Sequence, residues 1–516
     1  MRRYILLLGS LIVFSCKRFN RNQSHKEIST RSVDSGEVLA KRYCQSCHAF
    51  PEPALLDVNS WEKGVLPNMG PRLGIFNFYW NEYPSMRADR NVPAGFYPSN
   101  PLMTPDEWQH LLDYYLATAP DTLPAQERPY PIKNDLTIFS VYAPALTGIK
   151  PGTCFIQVDT TRVPHSLLQT DIFRKTVIRY DRDLRPVDSF FSRGTLIDID
   201  FSVEPKVATI IGQLNPTNAK LGRLELVSES DNGNIYLDTA TYIDSLQRPV
   251  QSLRVDLNGD GRPDELVCEF GLLTGALSWY ENQGNNQYTR HVLRPVPGAI
   301  KAYIRDYNQD GLPDLFVLFA QGEEGIFLFT NRGHGQFDQK EILRFPPSYG
   351  SSYFEMDDFN QDGYPDILYT CGDNADFSQV LKPYHGVYIF LNDGHWNFSQ
   401  KYFFPINGCY KAMARDFDGD GDLDLAVIAF FADYPKQPEE GFVYLENIGN
   451  LIFKPHSMTQ TQQGRWLTMD VGDLDGDGKP DIILGNFSKT SGFIKSSIPW
   501  ENAPSFLYLK NISGKR

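Results

Sequence analysis

At 516 residues, with 41% hydrophobic and 13% aromatic residues, the chain is globular and too long for one core, which requires several domains or a repeat array. A formal charge of −14 excludes nucleic acid as a partner, because phosphate binding needs a basic surface. The 27 Tyr and 34 Phe lean towards strands.

The N-terminus reads as a processing segment: "MRR" is basic, "YILLLGSLIVF" is apolar, and "SC" ends the run at Cys16. The apolar stretch is too short to span a bilayer comfortably, so a cleaved signal fits better than an anchor helix. Its ending resembles a bacterial lipoprotein signal; an ordinary signal with an incidental Cys is the alternative. The resemblance implies a signal over 1–16, lipidation of Cys16 and export, with the protein lipid-anchored in the cell envelope and touching membrane only through that anchor. Residues 17–34 are polar and read as a flexible tether.

Next comes "RYCQSCHAF", residues 42–50. Two thiols three apart with a histidine directly after them is the attachment pattern of one covalent haem c: Cys44 and Cys47 add to the vinyl groups and His48 ligates the iron. A zinc ribbon would need a second CxxC pair and a thioredoxin-like site a βαβ context, and neither is present. "SGEVLAKRYCQSCH" predicts a helix running into the motif. "TPDEWQHLLDYYLA" predicts another, with Thr104 as N-cap, Pro105 in the first turn and Glu107 closing a capping box. Trp108, Leu111, Leu112, Tyr115 and Leu116 share one face of it. Residues 35–120 resemble a small class I cytochrome c, which implies a second axial ligand. Met69, in the turn-rich "WEKGVLPNMGPRLG", is favoured, with Met103 as the alternative; Met86 and a bis-His arrangement through His110 rank lower. A Pro-rich linker, 121–135, follows.

Five copies of one acidic motif fill the second half, starting at Asp256, Asp306, Asp358, Asp416 and Asp473. Each offers side-chain oxygens at positions 1, 3, 5 and 9, a carbonyl at 7 and a Gly at 6, a donor set suited to Ca²⁺. The candidate ligands are Asp256, Asn258, Asp260, Arg262 and Asp264 in the first loop, and Asp306, Asn308, Asp310, Leu312 and Asp314 in the second. They are Asp358, Asn360, Asp362, Tyr364 and Asp366 in the third, and Asp416, Asp418, Asp420, Asp422 and Asp424 in the fourth. The fifth has Asp473, Asp475, Asp477, Lys479 and Asp481. Position 7 contributes only its backbone carbonyl. Position 12 is Val267, Val317, Tyr369, Val427 or Leu484 instead of the bidentate Glu of an EF-hand, and an apolar strand follows where that motif starts a helix. The five loops gather 17 ligand carboxylates, so about five structural Ca²⁺ ions are expected to offset their repulsion.

A second pattern trails each loop: "ALSWYEN", "GIFLFTN", "GVYIFLN", "GFVYLEN" and "SFLYLKN". Strand, acidic loop, strand, strand, turn, strand at a period near 50 indicates a propeller. Residues 250–511 resemble the FG-GAP/VCBS repeats of integrin-α-type propellers. Two more units upstream have the strand rhythm without the metal-ligand motif, giving seven blades. The last unit is one strand short, and "LTIFSVY" at 136–142 can fill the gap. The expected fold class is therefore multidomain: a small all-α cytochrome c domain plus an all-β seven-bladed propeller with calcium-binding loops over 136–516. Cys154, Cys268, Cys371 and Cys409 read as small buried thiols, and their spacing dictates no pairing.

From loop start to the Asn ending the third strand the distance is 26, 25, 34, 31 and 38 residues, so insertions gather on the face opposite the acidic loops. Insertions on one face mark a binding face. Lys301, Tyr349, Tyr410, Lys411, Arg465 and Trp466 are expected there around the central channel, where aromatic and cationic groups suit a carbohydrate or anionic ligand. No nucleophile motif or dinucleotide fingerprint is present. The leading expectation is an electron-transfer protein whose propeller docks a redox partner protein or ligand. The alternatives are a sugar or alcohol dehydrogenase with substrate in the propeller and haem as acceptor, and a glycan-binding adhesion lipoprotein.

Overall fold

The structure, a computed structural model, describes residues 28–145, 150–230, 232–375, 377–489 and 500–514. Cys16 and the signal segment lie outside the described residues. Among those residues no helix is long and apolar enough to cross a membrane.

The strand sequences dictate a radial gradient of burial. In blade four, "DLFVLF" (Asp314–Phe319) is buried throughout and "GIFLFTN" (Gly325–Asn331) nearly so, whereas "FDQKEILR" (Phe337–Arg344) is polar and mostly exposed. Strands covered on both faces read as continuous apolar runs, and only the rim alternates. The period of two then divides each blade between two interfaces. Leu315, Val317 and Phe319 pack with Leu266, Leu277 and Trp279 of blade three, while Phe316 and Leu318 pack with Phe354, Ile367 and Tyr369 of blade five.

Seven four-stranded antiparallel sheets result, and a two-stranded hairpin lies outside them. Blade one begins at Thr153–Asp159 and blade two at Leu196–Asp200. Blades three to seven begin at Pro249–Val255, Ala299–Arg305, Ser351–Asp357, Cys409–Arg415 and Trp466–Gly472. Blade seven takes its outermost strand, Phe139–Tyr142, from the N-terminal side, with Phe139 opposite Asn511 and Tyr142 opposite Tyr508. The ring closes as the missing strand predicted. All the described cysteines are free thiols.

Innermost strands carry free edges towards the channel, and polar side chains reach sideways to satisfy them. The Val158 N–H donates to Asp470 Oδ2 at 2.7 Å, that of Ala302 to Gln251 Oε1 at 2.7 Å, and that of Ala414 to Glu355 Oε2 at 2.8 Å. Each of these bonds joins one blade to the next across the channel wall.

A helical region precedes the ring. Its first helix, Thr30–Tyr43, starts inside the stretch expected to be tether, because the Ser29 side chain caps it by accepting the Ser32 N–H. It crosses Pro105–Thr118, whose capping box is formed by Thr104 and Glu107. Gly36 permits the crossing: a Cβ there would lie 1.9 Å from the His110 carbonyl oxygen. Between the two, helical turns run from Val58–Ser60 through Trp61–Val65 and Leu66–Met69 to Gly70–Leu73. Trp61, Trp108, Leu111, Tyr115 and Met103 form the core.

This region docks on the insertion face of the propeller. Tyr384 OH donates to the Leu55 carbonyl at 3.0 Å, and Asn218 Nδ2 to Asp89 Oδ2 at 2.9 Å. Gln126 of the linker donates to the His385 carbonyl at 2.8 Å, and Arg128 donates to the Pro405 carbonyl at 2.8 Å and pairs with buried Glu440.

Candidate functional site

The first helix ends in a 3-10 turn, Cys44–Ser46, that presents the CQSCH segment. Cys44 is half-buried against the helical core, where burial pushes its thiol up to about 11; Cys47 is exposed. His48 Nδ1 lies 2.8 Å from the Ala49 carbonyl oxygen, an arrangement in which Nδ1–H donates and Nε2 keeps its lone pair. Burial holds this imidazole below its ordinary pKa, which favours its neutral form.

Of the residues proposed for the far side of an iron, Met69 is half-buried at the end of Leu66–Met69, and Met103 is 5% exposed and packed among core residues. Met86 is turned to the propeller, where Asn218 Nδ2 lies 3.5 Å from its sulfur. His110 Nδ1 is 2.6 Å from Ser32 Oγ, near the start of a helix whose other end leads into Cys44. Twelve residues at 1.5 Å rise put it about 18 Å along that helix, so the bis-His arrangement is not assembled.

The five acidic loops share one geometry, set by side chains bonding to nearby backbone. In blade three Asp256 Oδ1 accepts from Gly259 at 2.8 Å and Oδ2 from Gly261 at 2.8 Å; Asn258 Oδ1 accepts from Asp260 at 3.0 Å and Asp260 Oδ1 from Arg262 at 2.9 Å. Gly261 has φ +81, as the tight turn at position 6 demands. Position 4 is also left-handed, by Gly259 at +80 but by Gln309 at +62 and Gln361 at +59. Carboxylate oxygens of Asp416, Asp418 and Asp420 lie within 4.8 Å of one another, as do those of Asp473, Asp475 and Asp481, so either group could hold a metal ion.

The position 9 carboxylates do a second job that the spacing alone did not reveal. Asp264, Asp314, Asp366, Asp424 and Asp481 are all at most 1% exposed. In each, Oδ1 accepts the N–H of the Asn ending the third strand, at 2.8 Å, from Asn282, Asn331, Asn392, Asn447 and Asn511. Oδ2 accepts the N–H of position 2, as in Leu257 to Asp264 at 3.1 Å. Burial pushes Asp264, Asp366 and Asp481 up to about 6 and Asp424 up to about 7. Two of the Asn side chains also clip neighbouring blades: Asn331 Nδ2 donates to Leu257 O at 3.0 Å and Asn511 Nδ2 to Phe417 O at 2.8 Å.

The expected ligand face is not one open surface. Arg465 and Trp466 are 1% and 0% exposed. Arg465 lies 3.5 Å over the Phe430 ring and donates to the carbonyls of Phe430 and Lys489, each at 3.0 Å, while Trp466 donates to Thr461 O at 2.8 Å. Tyr349 stacks at 4.6 Å on Tyr384, the residue that grips Leu55. Tyr410 packs against Phe430. Only Lys301 and Lys411 meet in the channel, at 5.9 and 4.8 Å over the Tyr353 ring. Lys411 also donates to Met469 O at 2.7 Å, and desolvation pulls it down to about 8, as it pushes nearby Asp198 up to about 6. The insertions of blades five and six carry the chain's own helical region and linker, and most of the blade-seven insertion lies outside the described residues.

An FG-GAP-like repeat model matches residues 256–317, 306–369 and 376–427. The chain thus carries FG-GAP-like repeats in a seven-bladed β-propeller. It is 31% identical over 173 residues to a T-cell immunomodulatory protein homolog of Plasmodium falciparum, an alignment covering 30% of this chain and 23% of that protein. It is 34% identical over 149 residues to integrin alpha-PS5 of Drosophila melanogaster, covering 24% and 14%. The chain thus spans less than a quarter of the length of these relatives. Among solved structures, virginiamycin B lyase from Staphylococcus aureus is similar at 11% identity and a TM-score of 0.44, over 72% of this chain and 98% of that one.

Proposed function

We propose that this protein is an exported, lipid-anchored electron-transfer protein of the cell envelope, in which a monohaem domain is held on a calcium-stabilised propeller that binds a redox partner. The observation that carries this reading is the CQSCH turn. Both thiols are free at the end of a clamped helix, and the neighbouring imidazole is fixed through Nδ1 with Nε2 uncommitted. That donor set fits haem c. Cys44 and Cys47 would hold the porphyrin and His48 the iron, with Met69 on the far side and Met103 as the alternative. When bound, the group supplies one-electron transfer.

The chain's own residues then act as positioners. The Ala49 carbonyl holds the His48 ring, Gly36 lets the helix cross close, and the Tyr384–Leu55 and Gln126–His385 bonds seat the domain on the ring. His48 lies within electrostatic reach of Glu323 and Arg344 of blade four, so a partner meeting this domain would meet the rim of that blade as well. The converging oxygens of the acidic loops fit calcium, and the general binding role of FG-GAP propellers supports a docking role for the ring.

The test is expression in a host with and without the c-type cytochrome maturation system. One haem per chain that survives a denaturing gel is expected with it. A chain that folds but carries no covalent haem sinks the reading.

A further inference from the structure

Blade three carries a second constellation beside its acidic loop. His291, on the outermost strand, stands opposite Trp279 of the third strand; its ring stacks on the indole at 4.5 Å, and its Nε2 lies 2.8 Å from Glu281 Oε2. The other oxygen of Glu281 accepts from Asn258 Nδ2 at 3.0 Å. From blade four, the turn at Gly333–Gly335 brings in His334, in a left-handed conformation with φ +54 and exposed. Gly335 abuts the side of the Trp279 ring that carries the indole nitrogen, so closely that a Cβ would sit 2.6 Å from a ring carbon. A cavity of about 320 Å³ opens between these groups, lined by Asp260, Glu281, His291 and His334. Trp279 lines it too: it is 3% exposed and its indole N–H has no hydrogen-bond partner.

We propose that this cavity between blades three and four is a site for one transition-metal ion of the Zn²⁺ class, held by His291 Nε2, Glu281 and His334. Two imidazoles and a carboxylate are a nitrogen-rich set that prefers such an ion over Ca²⁺. His291 and Glu281 already touch, as neighbouring ligands do before an ion separates them. His334 lines the same cavity but its ring nitrogens do not converge with the other two as placed, so rotation of this exposed side chain would have to complete the set. A fourth position is left for water. Asn258 links this cavity to the acidic loop: its nitrogen bonds Glu281 at 3.0 Å and Asp260 Oδ2 at 3.4 Å, and its oxygen accepts from the Asp260 N–H.

Blade six provides an internal comparison. His456 occupies the same register opposite Tyr444, and its Nε2 lies 3.2 Å from Glu446. Its Nδ1, however, is taken by Asp135 of the linker at 2.7 Å. The pair is the same, but there both ring nitrogens are committed.

The test is calorimetric titration of the full-length protein with Zn²⁺ in saturating Ca²⁺, with metal content checked by elemental analysis. Wild type and His456→Ala should take up the ion alike. His291→Ala and Glu281→Gln should weaken it by at least about tenfold, in the range typical for disturbed metal shells. His334→Ala, an exposed change that leaves the core intact, should do the same. The proposal is overturned if no Zn²⁺ binds with Ca²⁺ present, if added Ca²⁺ displaces it stoichiometrically, or if His334→Ala binds like wild type.

Discussion

Chelation of divalent metal should loosen the whole ring, and the size of the effect follows from the loops. In blade six the oxygens of Asp416, Asp418 and Asp420 stand within 4.8 Å of one another. Two unit charges at that distance repel by about 1 kcal/mol in water and about 3.5 kcal/mol at an effective dielectric of 20. Three such pairs exist in this loop, partly offset by the N–H groups of Gly419 and Gly421 that bond to Asp416. A loop that binds Ca²⁺ at a free concentration a hundred times its Kd gains about 2.7 kcal/mol of folding free energy, so five independent loops gain on the order of 13 kcal/mol. The assay is thermal unfolding of the full-length protein in millimolar Ca²⁺ and in EDTA. A midpoint at least about 10 °C lower in EDTA is expected, allowing for the small shift per kcal/mol in a ring this size. Asp416→Ala should remove about one loop's share. If the two midpoints coincide within about 2 °C, the loops are held by their own side-chain-to-backbone bonds and the calcium reasoning fails.

Replacing both Cys44 and Cys47 by Ala should abolish covalent haem on a denaturing gel while leaving the thermal transition of the propeller in place; a persisting haem band would refute the assignment. Asn511→Ala strips the bonds to Phe417 O and Pro480 O, at 2.8 and 3.1 Å, and should cost about 1–3 kcal/mol in urea unfolding, since a buried carbonyl loses its partner. His385 is buried, and desolvation, with Lys382 adding to it, holds its imidazole well below the ordinary 6.5. Its contribution is therefore full above about pH 6.5 and declines as pH falls below that value, by up to about 1.4 kcal/mol per unit. His385→Gln should flatten this part of the stability profile between pH 5 and 7, and an unchanged slope would assign the acid sensitivity elsewhere.

Much of the architecture was legible because it repeats. Five acidic motifs and the strand triplets after them fix the blades, and a missing strand in the last unit pointed to Phe139–Tyr142. The two helices of the N-terminal region were legible for a local reason, the capping box at Thr104 and one apolar face. What could not be read is what faces what across long sequence distances. Arg465 and Trp466 have the composition of a binding surface, but whether a guanidinium meets solvent or the Phe430 carbonyl is decided by a neighbouring blade. The insertions in blades five and six suggest a ligand face, but what they meet in the fold is the chain's own residues around Leu55 and Arg128. The Glu281–His291 pair left a faint trace, a Glu before the strand-ending Asn in "WYEN" and "YLEN", and the register that brings the histidine opposite needs the sheet.

The borrowed strand of blade seven also orders events in time. Phe139–Tyr142 must wait for Phe506–Asn511, so the last latch of the ring joins segments more than 350 residues apart, among the slowest kinds of pairing for a growing chain. Until those residues emerge, blade seven has an open edge, while the helices around CQSCH, being local, can already have formed. The CQSCH turn can therefore form before blades five and six are there to seat it.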